Sequence, residues 1–184
     1  MRVIAGLYKG RRLVSFQASH IRPTTDRVKE SLFNMLMHDI EGARVLDLFS
    51  GTGNLAIECL SRGAAFVDIV ENHKKSLQII RENLSILKIT TGFKIHPLDA
   101  FRYIAAFQGE AYDLVLADPP FTRSWADQLG QAVGASRLLH ADSKFVMESS
   151  TAETVADEYP GLKRLDRRHF GDKNLEFFGK SVDE

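Results

Sequence analysis

The sequence predicts an α/β fold: a mostly parallel, seven-stranded, doubly wound sheet with a β-hairpin extension at the N-terminus. Three observations carry this expectation. From residue 44 to residue 135, short apolar runs bounded by polar turns alternate with amphipathic stretches of helical period, the pattern of strand–helix crossover units. Residues 44–56, RVLDLFSGTGNLA, pass from an apolar run through Gly51 and Gly53 into an amphipathic stretch. An open parallel sheet presents a nucleotide-like ligand at its carboxyl edge in this way. Asp118-Pro119-Pro120-Phe121 follows the fourth apolar run, and in a doubly wound order that strand lies beside the first.

At 184 residues, with 44% hydrophobic and 26% charged residues, the chain has an ordinary globular balance and length for one substantial core. One domain over residues 1–184 is expected, with residues 1–22 a basic hairpin and residues 23–184 the ligand-binding core. No apolar run reaches membrane-spanning length, and the basic start lacks a signal-peptide apolar segment, so no membrane partner is expected. Cys59 is the only cysteine, which forbids an internal disulfide or a CxxC metal site and makes a reducing cytoplasm the expected setting. Cys59 itself reads as a small apolar filler. Net charge is zero, yet residues 1–30 hold seven Arg or Lys against Asp26 and Glu30. That basic arm points to a polyanion or, equally, to a solvated hairpin face.

Residues 2–5 and 11–16 read as strands around the turn Gly6-Leu7-Tyr8-Lys9-Gly10, with Lys9, Arg11 and Arg12 near its tip and Tyr8 able to stack. Pro23 halts that structure. Thr24 or Thr25 can cap, Asp26 suits a first helical turn, and Val28, Leu32, Met35 and Leu36 keep helical spacing to about Ile40. Residues 44–48 form the first strand. Residues 54–62 form a helix with Leu55, Cys59 and Leu60 inward, closed by Gly63. Residues 65–70 are the second strand, and residues 72–87 a helix whose core stripe is Leu77, Ile80, Leu84 and Leu87. Residues 93–96 are the third strand, ending in a His96 that has no visible partner and reads as structural. A short helix through Ile104 and Phe107 follows, then the fourth strand at residues 113–117. Residues 124–135 form a helix, with Trp125 at a pocket rim or in the core. The fifth strand is residues 144–148, residues 152–159 form a weak acidic helix, and residues 165–170 and 174–178 form a terminal hairpin. Arg164, Arg167, Arg168 and His169 make a second basic cluster.

The chemistry-bearing positions lie at the ends of these strands. Gly51 and Gly53 remove side chains where backbone must approach a ligand. Gly51-x-Gly53-x-x-Ala56, with Glu71 twenty residues after Gly51, also satisfies a dinucleotide fingerprint. Asp47 argues against that ligand, because a carboxylate beside the helix N-terminus repels a pyrophosphate. S-adenosylmethionine, with a sulfonium, an ammonium and a ribose, fits better. Glu71 can accept from both ribose hydroxyls, or with Asn72 cap the next helix. Asp99 can meet the adenine amino group or cap the helix that starts at Ala100. Pro119-Pro120 makes a stiff corner whose carbonyls, with Asp118, offer acceptors and no backbone donors. An exocyclic amino group on a base suits such a corner, and Phe121 offers a face for stacking.

Taken together, these stretches resemble the RNA guanine-N2 methyltransferases of the small ribosomal subunit, the methyltransferase D family. The resemblance rests on Arg2-Val3-Ile4-Ala5-Gly6 with Lys9-Gly10-Arg11-Arg12-Leu13, and on Arg22-Pro23-Thr24-Thr25-Asp26-Arg27-Val28-Lys29-Glu30. It continues through Leu46-Asp47-Leu48-Phe49-Ser50-Gly51-Thr52-Gly53 and Asp118-Pro119-Pro120-Phe121. It implies a Rossmann-like class I fold, S-adenosylmethionine as methyl donor, and N2-methylguanine in small-subunit (16S) ribosomal RNA as product. A partly assembled 30S particle is the implied partner. No metal is implied, since the cofactor brings an activated methyl. Catalysis falls to Asp118, Pro119, Pro120 and Phe121. The cofactor falls to Asp47, Phe49, Ser50, Gly51, Gly53, Asn54, Glu71, Asn72, Asp99 and Ala100. RNA contact falls to Lys9, Arg11, Arg12, Arg22, Thr24, Thr25 and Arg27.

Three other readings compete. The same corner suits adenine N6 in DNA or RNA, or a protein glutamine amide; the basic arm favours nucleic acid. An NAD-binding oxidoreductase needs no Asp-Pro-Pro-Phe corner and is disfavoured by Asp47. A catalytically silent RNA-binding module does not account for both Asp47 and Asp118.

Overall fold

The computed structural model describes residues 1–15, 26–120 and 125–181. In chain order these form α1 (Asp26–Met35), β1 (Arg44–Leu48), α2 (Asn54–Ser61), β2 (Phe66–Val70), α3 (Lys74–Ile86), β3 (Phe93–His96) and α4 (Ala100–Ala106). There follow β4 (Tyr112–Ala117), α5 (Ala126–Gly134), β5 (Leu139–Ser150), β6 (Glu158–Tyr159), β7 (Leu162–Phe170) and β8 (Lys173–Lys180). The strands make one sheet in the order β3-β2-β1-β4-β5-β8-β7-β6. The first five in that order pair in parallel, and β8, β7 and β6 add antiparallel.

The central strands are apolar because both sheet faces are covered. Val45, Val67, Ile69, Leu114, Leu116 and Val146 pack with Val28, Leu32 and Phe33 of α1, Ile57 of α2 and Ile80 of α3. Leu46, Leu48, Val70, Val115, Ala117 and Met147 pack on the other face with Ile104 of α4 and Leu129 of α5. The order reverses at β1, so the ends of β1, β2 and β4 open on one crevice. Among the described residues, no helix is long and apolar enough to cross a membrane.

Several expectations are corrected. The sheet has eight strands instead of seven, because part of the expected helix at residues 152–159 is the edge strand β6. That stretch has no apolar stripe to support a helix. Its Glu153 carboxylate instead accepts from the backbone N–H of Ser150 at 2.8 Å and of Ala126 at 3.1 Å, while Tyr159 is buried. The first helix ends at Met35, five residues before Ile40.

The N-terminal hairpin forms only an isolated bridge, Arg2 to Arg12. Its backbone bonds to helices instead of completing a ladder. Glu58 accepts from Ile4 and Ala5 N–H at 2.9 and 3.0 Å, and Asn83 accepts from Val14 N–H at 2.7 Å. Leu7 N–H donates to the Ser61 carbonyl at 2.7 Å. Gly6, at φ +81, lies so close to Ser61 that a β-carbon would fall 1.8 Å from its carbonyl oxygen, so only glycine fits.

Two groups of charges also differ from expectation. Lys29, counted in the basic arm, is buried: its ammonium donates to the Arg2 carbonyl at 2.6 Å and to Asn54 Oδ1 at 2.9 Å, and pairs with Glu58 at 3.1 Å. The second basic cluster is internally compensated. Arg164 and Arg167 bind the buried Glu176 at 3.1 and 2.8 Å, Arg168 binds Asp166 at 2.9 Å, and His169 meets Asn174 at 3.1 Å.

Candidate active site

The turn after β1 carries the unusual backbone of the site. Phe49, Gly51 and Gly53 have φ of 58, 58 and 78°, a left-handed run that glycine adopts without strain. Ser50 N–H donates to the Val70 carbonyl at 3.1 Å, tying the turn to the end of β2. Phe49 pays the steric cost of its conformation to enter an aromatic cluster. Its ring meets Phe101 edge-on at 6.0 Å and Trp125 at 5.8 Å, and the last two meet edge-on at 5.5 Å. Trp125 therefore belongs to the rim of the crevice.

Asp47 is fully buried beneath the turn instead of standing at the strand tip. Its Oδ2 accepts from Ser50 Oγ at 2.5 Å and from Ala56 N–H at 3.1 Å, while Oδ1 is buried with no hydrogen-bond partner among the described residues. Burial pushes the carboxyl up to about 7, against the opposing hydrogen bonds from Ser50 and Ala56; the Glu71 charge adds to the rise. Glu71, at the end of β2, accepts from Gly51 N–H at 2.8 Å through Oε2. Its Oε1 accepts from Asn72 and His73 N–H at 2.9 and 2.8 Å.

The other expected cofactor positions divide. Asn54 turns inward, its Oδ1 bonded to Lys29. Asn72 is exposed, and Ala100 is buried against the α4–α5 face. Asp99 caps α4, accepting from Arg102 N–H at 3.1 Å, which answers the capping alternative. The buried Cys59 thiol is pushed well above its ordinary range by burial and by the Asp47 and Glu58 charges, consistent with a filler.

The register Leu48↔Ala117 brings the Asp118 corner directly beside the glycine turn, and Asp118 N–H donates to the Leu48 carbonyl at 3.4 Å. Asp118 is half-buried, Pro119 buried and Pro120 exposed; Phe121 lies outside the described residues. Lys9, Arg11 and Arg12 are exposed on the hairpin, with the Arg11 guanidinium donating to the Ile86 carbonyl at 3.3 Å. Arg27 is exposed on α1, beside a surface groove of about 480 Å³ shared with Glu30, Ser31, Asn34, Met35 and Arg168. Arg22, Thr24 and Thr25 lie outside the described residues.

Chemically, the start of α2 already faces a carboxylate, so a phosphate has no claim on it. A turn without a side chain at Gly51, a buried acid with one oxygen lacking a partner among the described residues, a fixed carboxylate and aromatic faces fit a cationic adenosine compound. Beyond the sequence reading, Lys29, Glu58 and Asn83 prove central to holding the hairpin against the turn: Asn83 Nδ2 also donates to the Thr52 carbonyl at 3.0 Å. Glu58, a single carboxylate within the apolar run of residues 55–60, was the available signal. His96 is also partnered, its Nε2 lying 2.6 Å from Asp68, which further accepts from Tyr112 at 2.8 Å and Arg44 at 2.9 Å.

The family described as conserved hypothetical protein 95 matches residues 1–179. Ribosomal RNA small subunit methyltransferase D of Escherichia coli (strain K12) is 37% identical over 167 residues, covering 91% of this chain and 83% of the relative. YlbH of Bacillus subtilis (strain 168) is 37% identical over 163 residues, covering 85% of this chain and 89% of that protein. The solved structure of yhhF from Escherichia coli superposes with a TM-score of 0.85 at 29% identity, covering 100% of this chain and 99% of that one. With a family match over nearly the whole length and relatives identical at 37% of the aligned residues, the chain belongs to the conserved hypothetical protein 95 family, that of ribosomal RNA small subunit methyltransferase D.

Proposed function

We propose that this protein transfers a methyl group from S-adenosylmethionine to the exocyclic N2 of a guanine in small-subunit ribosomal RNA. The observation that carries this is the Leu48↔Ala117 register, which sets an acceptor-only Asp-Pro-Pro corner beside the glycine turn. Family membership and the E. coli relative's activity support the RNA acceptor.

When bound, S-adenosylmethionine supplies a methyl activated by its sulfonium. Gly51 would leave room for it, whereas Gly53, where a β-carbon would meet Ile80 of α3 at 3.3 Å, shapes the turn through its positive φ; Glu71 would accept from the ribose, and the Phe49–Phe101–Trp125 cluster would offer it an aromatic wall. Asp47 sets the turn and balances the positive charge. The guanine amino lone pair is delocalised into the ring, so N2 is a poor nucleophile. Asp118 and the Pro119 carbonyl accept from its two N–H groups and aim the lone pair at the methyl carbon. The bound cofactor would supply the methyl and retain the S–C bonding pair, and Asp118 would take the proton lost from N2. Such general-base help contributes roughly 10²–10⁴-fold, and alignment can contribute more. The base leaves its stack to reach the corner, which favours a loop of a partly assembled 30S particle in the cytoplasm. Lys9, Arg11, Arg12 and Arg27 hold phosphates, with Arg22, Thr24, Thr25 and Phe121 completing the RNA side.

Nucleoside mass spectrometry on unmodified small-subunit RNA, naked and protein-bound, tests the reading. New N2-methylguanosine, absent with Asp118→Ala, is expected. N6-methyladenosine, or no methylated nucleoside, overturns the acceptor.

A further inference from the structure

A buried ion pair stands at the carboxyl edge beside the Asp118 corner. Glu148, near the end of β5, accepts from the Lys173 ammonium at 2.8 Å; Lys173 is the first residue of β8. The two side chains are only 3% and 9% exposed. The register Ala117↔Met147 makes Asp118 and Glu148 the next residues along neighbouring strands. Leu116 and Val146 face α1, whereas Ala117 and Met147 face α5, so the alternation returns Asp118 and Glu148 to the α1 face. Leu175, opposite Glu148, shares that face, and so does Lys173 two residues before it.

Fold stability is a weak reason for such a pair, since desolvating two charges offsets most of their attraction. Its place is informative, because ligands of open α/β sheets bind outside the carboxyl ends of the strands. Along the guanine edge stand the N2 amino group, the N1–H donor and the O6 acceptor, in that order. Across the sheet stand Asp118 after β4, Glu148 on β5 and Lys173 on β8, also in that order.

We propose that Glu148 and Lys173 determine specificity for guanine, a role that rests on the guanine-N2 reading above. Glu148 accepts from N1–H and Lys173 donates to O6, while N2 occupies the Asp118 corner. Adenine presented to the same row meets two mismatches: its N1 lone pair faces the carboxylate, and its amino group faces the ammonium. A site built to hydrogen-bond polar groups rejects analogues lacking them strongly, because its own groups are then left unpaired.

The test uses 2-aminopurine, which keeps the N2 amino group and lacks both N1–H and O6. Small-subunit RNA is ligated with guanine or 2-aminopurine at the methylated position and supplied in the form, naked or particle-bound, that the wild type methylates. The wild type is expected to prefer guanine by about a hundredfold or more in kcat/KM. Glu148→Gln, and the doubly neutral Glu148→Gln/Lys173→Gln, are expected to narrow that preference to about threefold with unchanged S-adenosylhomocysteine affinity. A variant that binds S-adenosylhomocysteine normally and keeps the wild-type preference overturns the assignment while the guanine-N2 reading stands. Failure of both variants to fold also overturns it, because the pair is then structural. A wild type that makes no N2-methylguanosine overturns both readings.

Discussion

Glu71 Oε2 accepts a hydrogen bond from Gly51 N–H at 2.8 Å, so the end of β2 fixes the glycine turn that follows β1. Its other oxygen holds Asn72 and His73 N–H. The carboxylate that faces the ribose in the proposed complex is thus preset by three backbone donors. Glu71→Ala removes both functions, leaving those donors without this acceptor at a cost of roughly 1–3 kcal/mol. S-adenosylhomocysteine affinity is expected to fall about tenfold or more, since two hydrogen bonds to the ribose are lost. Calorimetric titration alongside chemical denaturation measures both. Undiminished affinity would remove Glu71 from the cofactor site.

Asp118→Ala separates binding from chemistry. In the proposed complex the side chain faces the base and not the cofactor, so S-adenosylhomocysteine affinity should stay near wild type. Methyl transfer should fall at least about a hundredfold. Near-normal turnover in a single-turnover assay would exclude Asp118 as the base.

Asp47 makes stability depend on pH. Its folded-state value of about 7 lies above the ordinary 3.8, so the folded protein binds the proton more tightly than the unfolded chain. The stabilisation from that bound proton is complete below about pH 4 and is lost as pH rises through about 7, at about 1.4 kcal/mol per pH unit across the window. Asp47→Asn lacks this dependence. Its stability relative to wild type should therefore rise between pH 4 and pH 7 and level off above, as followed by urea denaturation. A difference that does not change with pH would show that Asp47 titrates normally.

Lys29→Met leaves Glu58 buried without its ammonium and strips a donor from Asn54 and the Arg2 carbonyl. Breaking a buried pair in this way costs about 3–5 kcal/mol. The double variant Lys29→Met/Glu58→Gln should recover only part of the loss, because the buried carboxylate charge is gone while Arg62, 2.9 Å from it, loses its partner. A single variant of wild-type stability would refute the coupling of hairpin, α1 and glycine turn through this pair.

Arg11→Ala should weaken RNA binding while leaving cofactor binding unchanged. If Arg11 neutralises one phosphate, the slope of log affinity against log salt should become shallower by about 1. An unchanged slope and affinity would assign Arg11 only to its bond with the Ile86 carbonyl at the end of α3.

The parallel half of the sheet was legible because each strand carries its own signal. Residues 93–96 match β3 at both ends, and the glycine turn and proline corner marked the neighbouring strands whose pairing builds the crevice. The hairpin was less legible, since its partners are single side chains far along the chain: Glu58, Ser61 and Asn83 take backbone donors that a ladder would otherwise use. Sequence spacing carries no trace of such bonds. The same holds for Arg164 and Arg167. A run of cations reads as a charged surface until the fold lays Glu176 of β8 beneath them. Lys29 reads as one more positive charge in a basic arm, whereas its burial is set by how α1, α2 and the hairpin meet.

The sheet is bounded on one side by the two-residue β6, followed by Pro160, and by residues 164–170 of β7, which run past β6 with Arg167 and Arg168 exposed, and on the other by the four-residue β3 carrying the exposed Lys94. Short margins interrupted by a proline or a solvated cation are poor templates for another chain's strand. The protein thereby keeps its twelve-residue β5 and its apolar interior strands out of reach of edge-to-edge aggregation.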